Sequence, residues 1–446
     1  MHIQTVADEG QAAPLPVSRA FAWLVFALTF GLLLSDYMSR QVLNAVFPLL
    51  KAQWQLSDTQ LGSLGGVVAL MVGILTFPLS LVADRWGRVR CLTIMALLWS
   101  VATIGCGLAR NYEQLFIARF LVGAGEAAYG SVGLAVILSV FPARLRATLS
   151  GAFMAGGMFG TVFGMAAGGI VASSFGWRWA FVSVALFGLF MGVLYPLVVT
   201  NKRLGISKAS ADSQLAPGRA RIDFRELATW LFKGRTIILT YIGSALQLFV
   251  AGSLMTWLPS FMNRYYGMAT GRAGVAAAVF VLIGGIGMVV CGALTDRLSR
   301  NSPSRKFAMA IVFCAMSLVF LGLGFHLPQG GPQLVLIAVG LFFSAGTAGP
   351  ASAMVANLTP VAIHATAMAT LTLANSLLGL APGPIVTGMV ADHVGLLGAL
   401  QLLPLISCVS MAAFYLGRRH YDRDLGRVAA RGTCARNAVF STASAR

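Results

Sequence analysis

The sequence predicts an all-α membrane protein: twelve transmembrane helices arranged as two pseudo-symmetric six-helix bundles. Three observations predict it. Hydrophobic residues make up 57% of the 446 residues and charged residues only 10%, where a soluble domain carries about a quarter charged. Apolar runs of about 20 residues, each long enough to cross roughly 30 Å of hydrocarbon, recur along the chain. The two halves of the chain also echo each other.

The runs fall at 20–50, 60–82, 90–109, 112–139, 147–173, 178–199, 236–262, 272–295, 306–326, 332–356, 362–390 and 395–417. None leaves the polar face that a soluble amphipathic helix needs. The chain therefore divides into a short segment 1–18, a six-helix bundle 19–200, a linker 201–235, a second bundle 236–417 and a tail 418–446. Residues 1–18 have no apolar core of the kind a cleavable signal needs. Helix 1 then serves as its own insertion signal. The linker is basic and polar, and Arg221–Phe232 within it reads either as a surface amphipathic helix or as plain linker. The tail is polar and basic, and we expect it to be disordered.

The net charge of +18 raises nucleic acid as a partner, but the distribution argues otherwise. With twelve crossings, 25 of the 32 Lys and Arg fall on the side of the termini. Only Lys51, Arg110, Arg178, Arg264 and Arg272 fall on the other side, and Arg40 and Arg119 lie inside helices. This asymmetry places both termini in the cytoplasm and the chain in the cytoplasmic membrane. Cys91, Cys106, Cys291, Cys314 and Cys408 lie in or beside apolar runs, with no metal or disulfide spacing. Neither metal nor cofactor is expected. The five histidines (His2, His326, His364, His393 and His420) form no close pair, and no phosphate loop or nucleophile elbow is present. An enzyme is not expected.

Two landmarks carry the repeat. After helix 2 the chain reads SLVADRWGR from Ser80 to Arg88, and after helix 8 it reads GALTDRLSR from Gly292 to Arg300. Helix 5 contains Gly151, Gly160, Gly164, Gly168 and Gly169, and helix 11 answers with Gly379, Gly383, Pro384 and Gly388. An internal repeat of membrane helices is a mark of secondary transporters. Glycines 156, 160, 164 and 168 make a smooth stripe on one face of helix 5, suited to close helix packing. A rocking joint between the bundles is the functional extension of that packing.

Four charges lie within apolar helices: Asp36, Arg40, Arg119 and Glu126. Such charges are costly in hydrocarbon and mark a pathway or a coupling site. Asp36 and Arg40 are four residues apart, so they stack on one helical face and can pair. Arg119 and Glu126 share a face about 10 Å apart. The four sum to zero, which favours mutual pairing. A static buried network that orients helices 1 and 4 meets the same charge count. The second half offers uncharged groups instead: Tyr241, Gln247 and Trp257 in helix 7, Thr347 in helix 10 and Asn375 in helix 11. These suit substrate contact or interhelical packing.

The 80–88 segment resembles the loop signature of the major facilitator superfamily, with Ser80 in place of its first Gly. The 292–300 copy keeps that Gly and has Ser299 for a later one. Arg119 to Gly125 is similar to the superfamily's helix-4 motif, and the helix-5 glycines match its helix-5 motif with Met165 where Pro is usual. The resemblance spans 20–417. A finer likeness lies in DYMSRQVL from Asp36, LSDTQLG from Leu56, GEAAY from Gly125 and FGWRWAF from Phe175. These look like the spinster-type branch, and helices 1 and 4 also resemble the anion:cation symporter branch. The branch pattern has Asn at position 36 and Asp at 39, whereas this chain has Asp36 and Ser39.

The resemblance implies the major facilitator fold and alternating access. Asp84, Arg85, Gly87 and Arg88, with Asp296, Arg297 and Arg300, become the gating motif. A carboxylate at Asp84 can cap a neighbouring helix or pair with Arg144 or Arg146. Glu126 becomes the expected proton carrier, because a low dielectric disfavours its charged form. Arg40, with Arg119 as a second candidate, becomes its partner or that of an anionic substrate. The expected function is a proton-coupled carrier of a small organic anion or anionic amphiphile. A facilitative or antiport carrier of lysolipid-like substrates is the alternative, with a transporter-derived sensor behind it. The expected partners are the bilayer, the solute and protons, and the expected state is a monomer.

Overall fold

The computed structural model describes residues 17–142, 145–200, 203–204, 229–232, 234–300, 302, 304–360 and 363–443. Among them every regular element is helical. Of the Arg221–Phe232 reading, residues 221–228 lie outside the described residues and 229–232 are helical.

The first bundle contains helix 1 (Arg19–Trp54), helix 2 (Asp58–Trp86), helix 3 (Arg88–Leu108), helix 5 (Arg146–Phe175) and helix 6 (Trp177–Val198). Helix 4 is split into Tyr112–Glu126 and Tyr129–Val140. The second bundle contains helix 7 (Arg235–Tyr266), helix 8 (Thr270–Leu298) and helix 9 (Arg305–His326). Helix 10 is split as helix 4 is, into Gly331–Ala345 and Ala348–Asn357. Helix 11 runs through His364–Asn375, a π turn at Ser376–Leu380, and Pro382 onward.

The last apolar segment, Thr366–Tyr421, is continuous helix by hydrogen bonding. Its 56 residues would reach about 84 Å if straight, far more than one bilayer. Gly395, at φ 77, breaks it. A side chain rarely adopts that backbone, and glycine does so freely. Helix 11 ends there and helix 12 returns, giving twelve crossings, with the start of helix 1 and the end of helix 12 on one face, the terminus face. We call the opposite side the far face.

Helix ends carry their caps in the sequence. Ser57 and Gln60 form a reciprocal capping box at the start of helix 2. Gly87, at φ 96, turns helix 2 into helix 3. Helix 12 continues past Arg418 to Ala443, where the sequence predicted a disordered tail. Its first turn past Arg418 docks on the bundle. Tyr421 is fully buried with its ring 5.1 Å from that of Phe307, and Asp424 accepts from Thr236 Oγ1 at 2.6 Å.

Glycines set how closely the helices approach. A Cβ at Gly160 would lie 2.6 Å from the Leu34 carbonyl oxygen, and one at Gly164 would lie 2.8 Å from that of Met38. The every-fourth stripe of helix 5 therefore packs on helix 1 within its own bundle, not across the bundles. The inter-bundle contact uses its neighbours: Gly169 meets Thr270 and Gly274 of helix 8. Helix 2 meets helix 11 in the same way, through Gly62 against Pro384, Gly66 against Ala381 and Gly73 against Ser376.

Candidate functional site

The charges of helices 1 and 4 meet between the helices of the first bundle. Asp36, Ser39, Arg119 and Glu126 are each about 1% exposed. Arg40 donates from Nε to Asp36 Oδ1 at 3.1 Å, as one turn of helix allows. The same nitrogen lies 2.7 Å from Glu126 Oε2, off the N–H axis, so that contact is an ion pair rather than a second straight hydrogen bond. Two carboxyl groups thus share one guanidinium nitrogen. Ser39 Oγ lies against Glu126 Oε1 and 2.8 Å from the Asp36 carbonyl oxygen.

The rest of Arg40 is unused. Its side chain keeps 21% of its exposure deep inside the bundle, so it faces an interior space. Among the described residues, neither of its terminal nitrogens has a hydrogen-bond partner, and its guanidinium lies 5.1 Å from the Tyr37 ring centre. Two free donors in a planar fork match a carboxylate.

Arg119 sits differently from its expected role as an anion partner. It donates to three backbone carbonyls: Leu64 at 3.3 Å, Ser39 at 2.9 Å and Arg40 at 3.3 Å. Its charge is held by peptide dipoles, and its donors tie helix 4 to helices 1 and 2. It is not placed to meet a solute.

The second-bundle candidates divide too. Trp257 is fully buried and donates to the Pro384 carbonyl at 3.1 Å, with its ring 5.5 Å from that of Phe47. It joins the bundles rather than facing a cavity. Thr347 is buried in the break of helix 10. Tyr241 Oη, both amide atoms of Gln247 and Asn375 Oδ1 are buried without a hydrogen-bond partner among the described residues. Unpaired polar atoms are costly in a membrane, so these three keep hydrogen-bonding capacity to spare.

The loop signatures lie at the terminus face. Arg85 is exposed and Arg88 half-buried, and Asp296, Arg297 and Arg300 are exposed. The side chains of Asp84 and Arg146, and the whole of Arg144, lie outside the described residues.

A second charged cluster escaped the sequence reading. At the far face, Asp58 is held bidentately by Arg264, with both contacts at 2.8 Å, and by Lys51 at 2.6 Å. Asp392 of helix 11 accepts from the Asp58 and Thr59 amides at 2.6 and 3.0 Å, and from Thr59 Oγ1 at 2.6 Å. A carboxylate from the second bundle thus caps a helix of the first. The signal available was an acid at each of two far-face helix ends, but nothing in the spacing joins positions 334 residues apart.

Two related bundles, each with a broken fourth helix, enclosing a half-satisfied cation between buried acids, define a multi-pass solute carrier. The chain belongs to the major facilitator superfamily, whose family model matches residues 29–349. It is 27% identical to a probable L-galactonate transporter of Escherichia coli over 71% of each chain. It is 24% identical to a hexuronate transporter of Bacillus subtilis, over 69% of this chain and 74% of that one. Its fold is that of a bacterial homologue of the human lysosomal transporter spinster, solved inward-facing and unoccupied. The TM-score is 0.82 at 19% identity, over 91% of this chain and 99% of that one.

Proposed function

We propose that this chain is a proton-coupled carrier of small organic anions, working by alternating access in the inner membrane with its termini in the cytoplasm. The observation that carries the reading is Arg40: its Nε lies between Asp36 and Glu126, its side chain is 21% exposed, and its two terminal nitrogens have no hydrogen-bond partner among the described residues. A solute carboxylate takes those two donors bidentately.

Charge balance supplies the coupling. Asp36, Glu126 and Arg40 together carry one net negative charge when both acids are ionised, which opposes entry of an anion. A proton on either acid makes the trio neutral and frees Arg40 for the solute. Proton and anion then enter together with no change in the site's net charge, which limits the cost of loading in a low dielectric. Ser39 suits both states. It donates to an ionised Glu126. When Glu126 is protonated, Glu126 donates to Ser39 Oγ, and Ser39 donates to the Asp36 carbonyl. Asp36 here stands in for the carboxylate that the resembled pattern carries one turn away at 39.

The far-face cluster serves as the outer gate of this cycle, closed in the present structure. Opening outward separates Arg264 and Asp392 from Asp58 and Thr59. The gating motif at the terminus face, Asp84 to Arg88 and Asp296 to Arg300, engages when that face closes. Tyr241, Gln247 and Asn375 supply neutral contacts to the body of the solute. Organic acids are favoured over lysolipids because two relatives matched over about 70% of this chain are named for galactonate and hexuronate.

The test is uptake by the purified protein in liposomes under an imposed pH gradient, against panels of organic acids and lysolipids. Accumulation of an organic acid that collapses with the gradient supports the reading. Uptake indifferent to the gradient, or seen for lysolipids alone, overturns it.

A further inference from the structure

The outer surface between helices 2 and 3 carries a groove lined by none of the charged residues assigned to the solute. Its cavity volume is about 210 Å³. Leu75, Leu79, Val82 and Trp86 form one wall, and helix 3 forms the other from Cys91 to Leu98, with Ala124 at the floor. No lining side chain is charged. Trp86 and Ile94 are 65% and 54% exposed, so the groove opens outward to the bilayer.

Its length and charge suggest the occupant. From Leu75 to Trp86 the helix advances about 16 Å, which matches one leaflet's share of a core roughly 30 Å thick. At the terminus-face end, the turn through Gly87 places Arg85 and Arg90 beside it, each one residue before a lining residue. Both arginines are exposed, and their stems can lie along the apolar wall while the guanidinium groups reach headgroup depth. The segment 84–90 holds three arginines against one acid.

We propose that this groove is a binding site for an anionic phospholipid, with one acyl chain against helices 2 and 3 and the phosphate at Arg85 and Arg90. The cations select charge, and the groove selects a chain. A zwitterionic lipid fills the groove but has no net charge to offer the arginines. Each basic residue near an anionic headgroup favours binding about fivefold.

Native mass spectrometry of the purified full-length protein with equal phosphatidylglycerol and phosphatidylcholine tests this. The wild type is expected to retain phosphatidylglycerol about tenfold or more over phosphatidylcholine. Arg85→Gln with Arg90→Gln should remove that preference, leaving phosphatidylcholine retention unchanged. Ala124→Phe, which fills the groove, should weaken retention of both. Because Ala124→Phe can disturb packing, Arg90→Gln alone at an exposed position serves as the folded variant, expected to lose about fivefold. Equal retention of the two lipids by the wild type, or unchanged preference in the double variant, overturns the site. So does a shift to dimer that Ala124→Phe abolishes, since a second copy of the chain would then be the occupant.

Discussion

The buried trio and the far-face cluster use the same chemistry to opposite ends. At the far face, two acids meet two bases, and Asp392 satisfies a helix N-terminus while Arg264 grips Asp58 with both terminal nitrogens. Both bases there reach the Asp58 carboxylate. In the trio, two acids crowd one nitrogen and the fork of Arg40 is left open. A saturated cluster stores a conformation. An unsaturated one stores a vacancy for charge. The difference lies in stoichiometry and geometry, not in residue type.

The sharpest way to break this contrast is to close the fork. Arg40→Lys keeps the charge and loses the planar pair of donors. We expect uptake to fall on the order of 100-fold, about 2.7 kcal/mol, in liposomes under a pH gradient. Wild-type uptake in that variant would mean the open donors are not the solute site. Next in size is Glu126→Gln. It should abolish acceleration by the pH gradient, a coupling of about tenfold or 1.4 kcal/mol, while solute exchange between equal pools continues. Retained gradient dependence would move the proton to Asp36, and Asp36→Asn then becomes the discriminating variant.

Smaller effects are expected at the saturated cluster. Arg264→Ala leaves Asp58 with Lys51 alone. Because Arg264 is 25% exposed, we expect about 1–2 kcal/mol, below the value for a fully buried pair. The readout is labelling of a Thr59→Cys reporter in a cysteine-depleted protein, which should speed up about tenfold as the far face opens. Lys51→Ala should change that rate by no more than about twofold, since an exposed pair contributes little. Smallest of all, Trp257→Phe removes one hydrogen bond of about 1 kcal/mol. It should lower the melting temperature without altering the solute KM, because the indole lies between bundles. A raised KM at unchanged stability would return Trp257 to the substrate contacts.

The comparison also shows what was legible in the sequence. The spans, the repeat and the Asp36–Arg40 pair follow from local periodicity, so they could be read directly. The far-face cluster depends on helices 1, 2, 7 and 11 converging, and no local pattern encodes that. Arg119 was misjudged for a related reason. Its acceptors are backbone carbonyls, which every residue carries and no sequence distinguishes. The glycine stripe announced close packing but not its partner, since a smooth face fits any neighbour. The docked start of the tail was hidden because Tyr421 and Asp424 reach distant helices.

The break in helix 4 has a mechanical consequence. Glu126 is the last residue of one arm, and Tyr129 begins the other. The carbonyl freed at Ala127 is already taken up by the Thr76 hydroxyl of helix 2 at 2.6 Å. Bending at this joint therefore breaks no ladder bond that a straight helix would have to surrender. The twelve-residue arm Tyr129–Val140 thus starts a fresh run of ladder bonds just past Glu126. Helix 10 carries the same joint at Gly346–Thr347 with no acid beside it. The molecule thus has two matched helix breaks, one ending on a buried acid and the other on uncharged residues.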